Sequence, residues 1–228
     1  MDTLCEGRSA AVSMILSTED VRSIIKRLAE VFEENKERLN DLDTKLGDGD
    51  HGRSMSLGFF AVSSYVKDNP QLTIKQMLMD GGMRFNDAAG STIGILIFSA
   101  MREAGKALGE REQIGLADLK EMLDAAISGI VKRGKAAVGQ KTILDSLDPA
   151  LQVLQEGLKS SMADETALIQ SVIEAASAGA ESTRAMKPAI GRAKWFVERS
   201  QGEIDPGAVS GALIIRTVCE YLLEKNTA

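Results

Sequence analysis

Cysteine, proline and aromatic residues are scarce in this chain, and each shortage removes a class of protein. The two cysteines, Cys5 and Cys219, stand near opposite ends of 228 residues, far from the spacing of a metal site. A disulfide scaffold and a structural zinc site drop out, and the pair reads as reduced thiols, Cys219 buried in the last helix. Four prolines and 4% aromatics, set against plentiful Ala and Leu, favour helices, because those side chains lose little freedom on entering one. No block of Lys and Arg stands out and the formal net charge is −6, so binding to a nucleic-acid backbone is not expected. An acidic protein can still take an anionic nucleotide when a divalent metal neutralises the phosphates. Residues 1–17 carry Asp2 and Glu6 around a short, interrupted apolar patch, which is neither a secretory signal nor a membrane span. The expectation is a cytoplasmic protein that does not engage a membrane.

What is present describes a protein with a real core: 44% of residues are hydrophobic and 26% charged, and the length suits one large domain. Val21, Ile24, Ile25, Leu28, Val31 and Phe32 recur at helical spacing, predicting an amphipathic helix over 18–39, capped by Ser17 or Thr18. A polar stretch then leads to a second helix at 53–66. Thr73 with Gln76 has capping-box spacing and opens a third helix, which Gly81-Gly82 is expected to break. Further helices are predicted over 93–108 and 116–132. Asp148-Pro149 and Asp205-Pro206 both read as an N-cap followed by proline at the first helical position, starting helices at 149 and 206. Asp164 is expected to cap another, running to 186. No segment alternates with period two. The sequence therefore predicts an all-α fold: a single bundle of about eight helices over 18–228, preceded by a flexible segment at 1–17, with functional loops at the ends.

The chemistry concentrates in the stretch from Leu42 to Gly52. Asp43, Asp48 and Asp50 fall within eight positions, interleaved with Gly47 and Gly49 and followed by His51 and Gly52. Glycine permits sharp turns and close backbone approach, so several oxygens can converge on one point. Hard cations such as Mg²⁺ want carboxylate oxygens and share their coordination with substrate phosphates. A solvated acidic turn is the bland alternative, but this pattern is denser than a turn requires. An EF-hand fails, because Phe59 stands where its last Glu would be if Asp48 opened the loop. His51 is the sole histidine and has no nucleophile partner in view, so a hydrogen-bonding role is the ordinary expectation.

The run Gly47-Asp48-Gly49-Asp50-His51-Gly52, with Asp43 upstream, resembles the signature of the L-subunit family of dihydroxyacetone kinases. Three further stretches agree in order and spacing. Ala88 to Gly94 is similar to the family's small-residue phosphate loop. Arg133-Gly134-Lys135 through Gly139-Gln140-Lys141-Thr142-Ile143-Leu144-Asp145 matches a second family segment. Gly191-Arg192-Ala193, Glu198-Arg199-Ser200 and Asp205-Pro206-Gly207-Ala208 resemble the C-terminal motif. The chain departs from the family at Asp87 and Ala89, over Lys194-Trp195-Phe196-Val197, and at Glu203-Ile204, which leaves the metal loop untouched and makes a paralogue with another sugar partner an alternative.

The resemblance implies a single antiparallel barrel of about eight amphipathic helices with a nucleotide, ADP or ATP, at one end. Asp43, Asp48 and Asp50 would hold two Mg²⁺ ions on the phosphates, and His51, Gly52, Arg53 and Ser54 would sit beside the nucleotide. Ala89 and Gly90 would offer backbone amides, Ser91 and Thr92 hydroxyls. Gly134 and Ile143 would line the adenine side, and Arg199, Asp205 and Gly207 would close the pocket near ribose and phosphates, with Arg199 also stabilising charge on the transferring group. The implied activity is phosphoryl transfer to a small hydroxyketone, dihydroxyacetone first, held by a separate K subunit that this chain is too short to include. Either a phosphotransferase-system protein rephosphorylates bound ADP, or ATP exchanges at each turnover. A homodimer is compatible with the sequence. The rival classes are a regulatory nucleotide-binding module without its own catalysis, a kinase component for a related sugar, and the nucleotide domain of a fatty-acid kinase system.

Overall fold

The computed structural model describes residues 14–160, 164–191, 193–195 and 197–227. The expected flexible start up to residue 13, Cys5, and the motif residues Arg192 and Phe196 lie outside the described residues. Nine α-helices follow one another among the described residues: α1 (Thr18–Glu34), α2 (Lys36–Leu46), α3 (His51–Asp68), α4 (Ile74–Ala89), α5 (Thr92–Leu108), α6 (Leu116–Gly134), α7 (Leu144–Lys159), α8 (Glu165–Ser182) and α9 (Pro206–Thr227). A two-residue strand pair, β1 (Leu16–Ser17) and β2 (Gln113–Ile114), joins antiparallel in front of α1 and α6. The folded body reaches back to Met14, ahead of the boundary placed at Thr18 from the sequence, because Met14 and Leu16 are buried.

Each helix packs on its neighbours in sequence, and α9 closes the ring onto α1 and α2. The result is an all-α, up-and-down barrel in which α1 and α2 form one wall, interrupted at Asn35. Its interior is apolar; Phe59 stacks on Phe32 with ring centroids 4.8 Å apart and meets Phe85 edge-on at 5.0 Å. Four of the caps hold as read from the sequence, and that at Asp148 does not: Ser17 with Asp20 and Thr73 with Gln76 form capping boxes, Asp164 accepts the Ala167 N–H at 3.0 Å, Asp205 accepts that of Ala208 at 2.7 Å, and Asp148 lies inside α7. Cys219 is buried in α9, which pushes its thiol up to about 12. α9 has the length and hydropathy of a membrane span, but 56% of that window is buried inside the barrel.

Three element boundaries differ from the sequence reading. The polar stretch after Leu39 is helical as far as Leu46, so Asp43 stands on the last turn of α2 rather than in a loop. Gly81 and Gly82 do not break α4 but lie buried in its middle. A Cβ on Gly81 would come within 2.9 Å of Val62, and one on Gly82 within 3.3 Å of Phe98, so the pair exists to let α4 approach α3 and α5 closely. Pro149 does not start α7; it lies inside a helix that begins at Leu144. The carbonyl that its missing N–H would have met belongs to Asp145, and that carbonyl lies against Gly179 of α8.

Candidate functional site

An up-and-down ring sends alternate helices in the same direction, so the starts of α3, α5, α7 and α9 gather at one end of the barrel. There His51, Thr92, Ile143 and Pro206 line one cavity of about 240 Å³, together with residues from the ends of α2 and α6. The first N–H groups of a helix have no partner within the helix and carry partial positive charge, which makes an end where four helices start receptive to an anion.

The acidic wall is built by α2 and the loop after it. Asp43 Oδ2 accepts the N–H of Asp50 at 3.0 Å and that of His51 at 3.2 Å, drawing the loop back onto the helix. A Cβ on Gly47 would come within 2.5 Å of Asp43 Oδ1, so only glycine leaves that carboxylate its place. Gly49, at φ +77°, makes the left-handed turn that brings the loop round. In consequence one carboxylate oxygen from each of Asp43, Asp48 and Asp50 lies within 4.8 Å of the others. That donor set suits a hard divalent cation.

The start of α5 lines the same cavity. Its N-cap Ser91 makes no side-chain capping bond, and its buried Oγ lacks a hydrogen-bond partner among the described residues. A buried hydroxyl left unpaired costs about 1–3 kcal/mol, and here it lines the cavity beside the free amides of Thr92 and Ile93. The remaining wall is apolar, formed by Ile93, Leu96, Ile130, Ala136, Ile143 and Ile190. One end of the cavity is thus polar and cation-ready, the other fit for a flat apolar group.

Of the residues singled out from the sequence, Asp43, Asp48, Asp50, His51, Ser91, Thr92, Gly134, Ile143, Asp205 and Gly207 line this cavity. Gly52, Arg53, Ser54, Ala89 and Gly90 are not part of its wall and stand behind it. Gly52 packs on the Lys36 carbonyl, the Arg53 N–H donates to Asn40 Oδ1 at 3.1 Å, and Ser54 Oγ donates to the Ala89 carbonyl at 3.5 Å. Gly90 ends α4 in a left-handed C-cap. Arg199 is exposed, outside the wall, in the connection between α8 and α9. His51 Nε2 lies 2.8 Å from Ser210 Oγ, and burial pushes its imidazole down to about 4, so the ring is neutral at neutral pH. Burial likewise lifts Asp205 to about 7, although the Ala208 N–H and Lys141 pull the other way.

Lys141 also lines the cavity. It is only 2% exposed and its Nζ donates to the carbonyls of Thr183 at 2.6 Å, Ser200 at 3.1 Å and Glu203 at 2.5 Å. Burial lowers its pKa against the pull of Asp205 and Glu203. The sequence places Lys141 in a motif but gives it no role, since all three partners lie more than forty positions away.

The DAK2 domain family pattern matches residues 45–220. The PEP-dependent dihydroxyacetone kinase 1, ADP-binding subunit DhaL, of Listeria innocua is 32% identical over 191 residues, spanning 84% of this chain and 90% of the relative. The corresponding DhaL subunit of Escherichia coli K12 is 31% identical over 197 residues, with 86% and 93% covered. Human triokinase/FMN cyclase is 32% identical over 222 residues, which is 97% of this chain but 37% of that protein. Among solved structures, the dihydroxyacetone kinase of C. freundii in complex with AMP-PNP and Mg²⁺ superposes with a TM-score of 0.70 at 23% identity, covering 96% of this chain and 37% of the other. At that identity the likeness is one of fold.

Proposed function

Because the chain belongs to the DAK2 domain family, we propose that it is the nucleotide-binding subunit of a dihydroxyacetone-type kinase, a counterpart of the DhaL ADP-binding subunits. The observation that carries this is the convergence of three carboxylates on the wall of a cavity that is also lined by a helix start with no side-chain cap and a buried hydroxyl without a partner among the described residues. Asp43, Asp48 and Asp50 are the residues that would hold two Mg²⁺ ions, and those ions, when bound, neutralise the phosphates of ADP or ATP. Asp43 fastens the loop through Oδ2, so the ligand set is built before a cation arrives.

Ser91, Thr92 and the first amides of α5 receive phosphate oxygens, with Ala89 and Gly90 setting the backbone of that turn. Gly134 and Ile143 flank the base within the apolar wall. His51, held neutral by burial, orients through Ser210, and Gly52, Arg53 and Ser54 support it from the start of α3. Asp205 and Gly207 face the ribose side, and Arg199 is the residue to meet charge on the transferring group. Phosphoryl transfer asks for positioning and charge neutralisation more than for covalent help, and these residues provide both.

The acceptor is a small hydroxyketone, dihydroxyacetone first, held by a separate K subunit. In support, the region shared with triokinase/FMN cyclase is 37% of that longer chain, leaving room there for other parts. Names that specify a PEP-dependent kinase and an ADP-binding subunit favour ADP kept in place and rephosphorylated by a phosphotransferase-system protein, in the cytoplasm. The test is reconstitution. With a K-type subunit and dihydroxyacetone present, the chain should support formation of dihydroxyacetone phosphate, from ATP or from a PEP-driven donor. A folded, nucleotide-bound chain that supports no transfer with any K-type subunit would make it a regulatory module instead.

A further inference from the structure

The connection between α8 and α9, residues 183–205, has little regular structure: one 3₁₀ turn at Thr183–Ala185 and another at Ala193–Trp195. It nevertheless supplies Ile190, Gly191 and Ala193 to the wall of the nucleotide cavity. Its two ends meet. The Asp205 N–H donates to Thr183 Oγ1 at 3.0 Å, and Arg184 Nη1 donates to the Gly202 carbonyl at 2.8 Å. The described ends of the connection therefore close into a neck, and the neck is where Lys141 inserts.

An ammonium has three donors, and here all three go to backbone carbonyls: Thr183 on one side of the neck, Ser200 and Glu203 on the other. Glu203 is held again through its carboxylate, 2.9 Å from Lys45 Nζ on α2, the helix that carries Asp43. The main chain of Lys141 is itself part of the cavity's surroundings: it takes a left-handed turn at φ +61°, and the next residues, Thr142 and Ile143, line the wall. One residue thus ties the loop on one side of the cavity to the loop on the other. A structural strut alone could sit anywhere in the barrel. This one connects two stretches that both face the ligand.

We propose that Lys141 is a positioning residue for the nucleotide: by pinning the neck of the 183–205 loop it holds Ile190, Gly191 and Ala193 over the bound ligand and slows its release. This rests on the reading of the cavity as a nucleotide site. Removing donors from Lys141 leaves carbonyls unpaired, opens the neck and shortens the residence of the ligand, while the carboxylate wall stays as it was.

The test uses the full chain and three variants at one position, Lys141→Met, Lys141→Gln and Lys141→Arg. Each keeps a side chain with a Cβ at the left-handed φ, so the backbone cost is common to all. Two rates are read: release of N-methylanthraniloyl-ADP with magnesium, and tryptic cutting after Lys194 or Arg199 without nucleotide. Losing one charge-assisted hydrogen bond corresponds to about a 10-fold change in an equilibrium, so Lys141→Met should release nucleotide at least about 10-fold faster and be cut faster. Lys141→Gln should lie between, and Lys141→Arg should stay near the wild type. If Lys141→Met does not fold, the comparison of Gln with Arg carries the test. Wild-type release from a folded Met or Gln variant, or faster cutting with unchanged release, overturns the proposal. A wild-type chain that binds no nucleotide removes the underlying reading of the cavity, a different failure from the one just described.

Discussion

Asp43 and Ser91 line the same cavity and are in opposite hydrogen-bonding conditions. Asp43 is partnered, accepting two loop amides, whereas the buried Ser91 Oγ is not. The aspartate trio was legible from the sequence, because three carboxylates spaced by glycines have few other uses. Lys141 was not, because its partners are backbone carbonyls that no side-chain pattern encodes. Nor was the unpaired state of Ser91, which depends on how α5 starts. That state fixes a prediction with opposite signs for stability and binding. Ser91→Ala removes an unpaired buried polar group, whose burial costs about 1–3 kcal/mol, so the thermal midpoint of the nucleotide-free chain should hold or rise. Nucleotide affinity should fall by roughly 10-fold for one lost hydrogen bond to a charged group. Differential scanning calorimetry with an equilibrium titration reads both, and a variant that loses stability without losing affinity would show the hydroxyl to be structural.

Helices were legible where apolar spacing and caps agreed, as at Ser17, Thr73, Asp164 and Asp205. Two of the three misreadings share one cause: Gly81-Gly82 and Pro149 are helix breakers in isolation, yet here a neighbouring helix presses on them. Gly179 shows how close such approaches are, since a Cβ there would collide with the Asp145 carbonyl and the Pro149 ring. Gly179→Ala sets two effects against each other. Alanine gains about 1 kcal/mol of helix propensity, while forcing α7 and α8 apart costs about 1–3 kcal/mol or more against rigid backbone. The second should win, and urea unfolding should show a net loss. A more stable variant would mean that α7 and α8 can slide apart freely.

Closure of the ring came from the family resemblance and not from helix periodicity, because it joins the first helix to the last. Arg27 meets Glu224 through two bonds of 2.7 and 2.8 Å. Asp20 gathers Lys225 at 2.5 Å and the Tyr221 hydroxyl at 3.0 Å. Burial alone would raise Asp20, but Lys225, the Ser17 hydroxyl and amide and Tyr221 outweigh it and hold the carboxyl down to about 2. A carboxyl depressed on folding stabilises the protein above its ordinary pKa of 3.8 and loses that contribution as pH falls toward 2. Lys225 is 39% exposed, so solvent trims the gain to about 1–2 kcal/mol. Lys225→Met removes the largest of these lowering partners and should be less stable by up to that amount at pH 7, and the gap to wild type should narrow between pH 4 and pH 2. A gap that does not change with pH would assign the loss to packing instead.

Every role proposed for the residues at the barrel's open end depends on that end being a magnesium-dependent nucleotide site. Calorimetric titration of ADP and ATP into nucleotide-stripped chain, with Mg²⁺ and again with EDTA, tests it most directly when run beside Asp48→Asn. Binding that requires Mg²⁺ and disappears in the folded variant is the predicted result. Equal binding with EDTA, or no binding by a well-folded wild type, would contradict it.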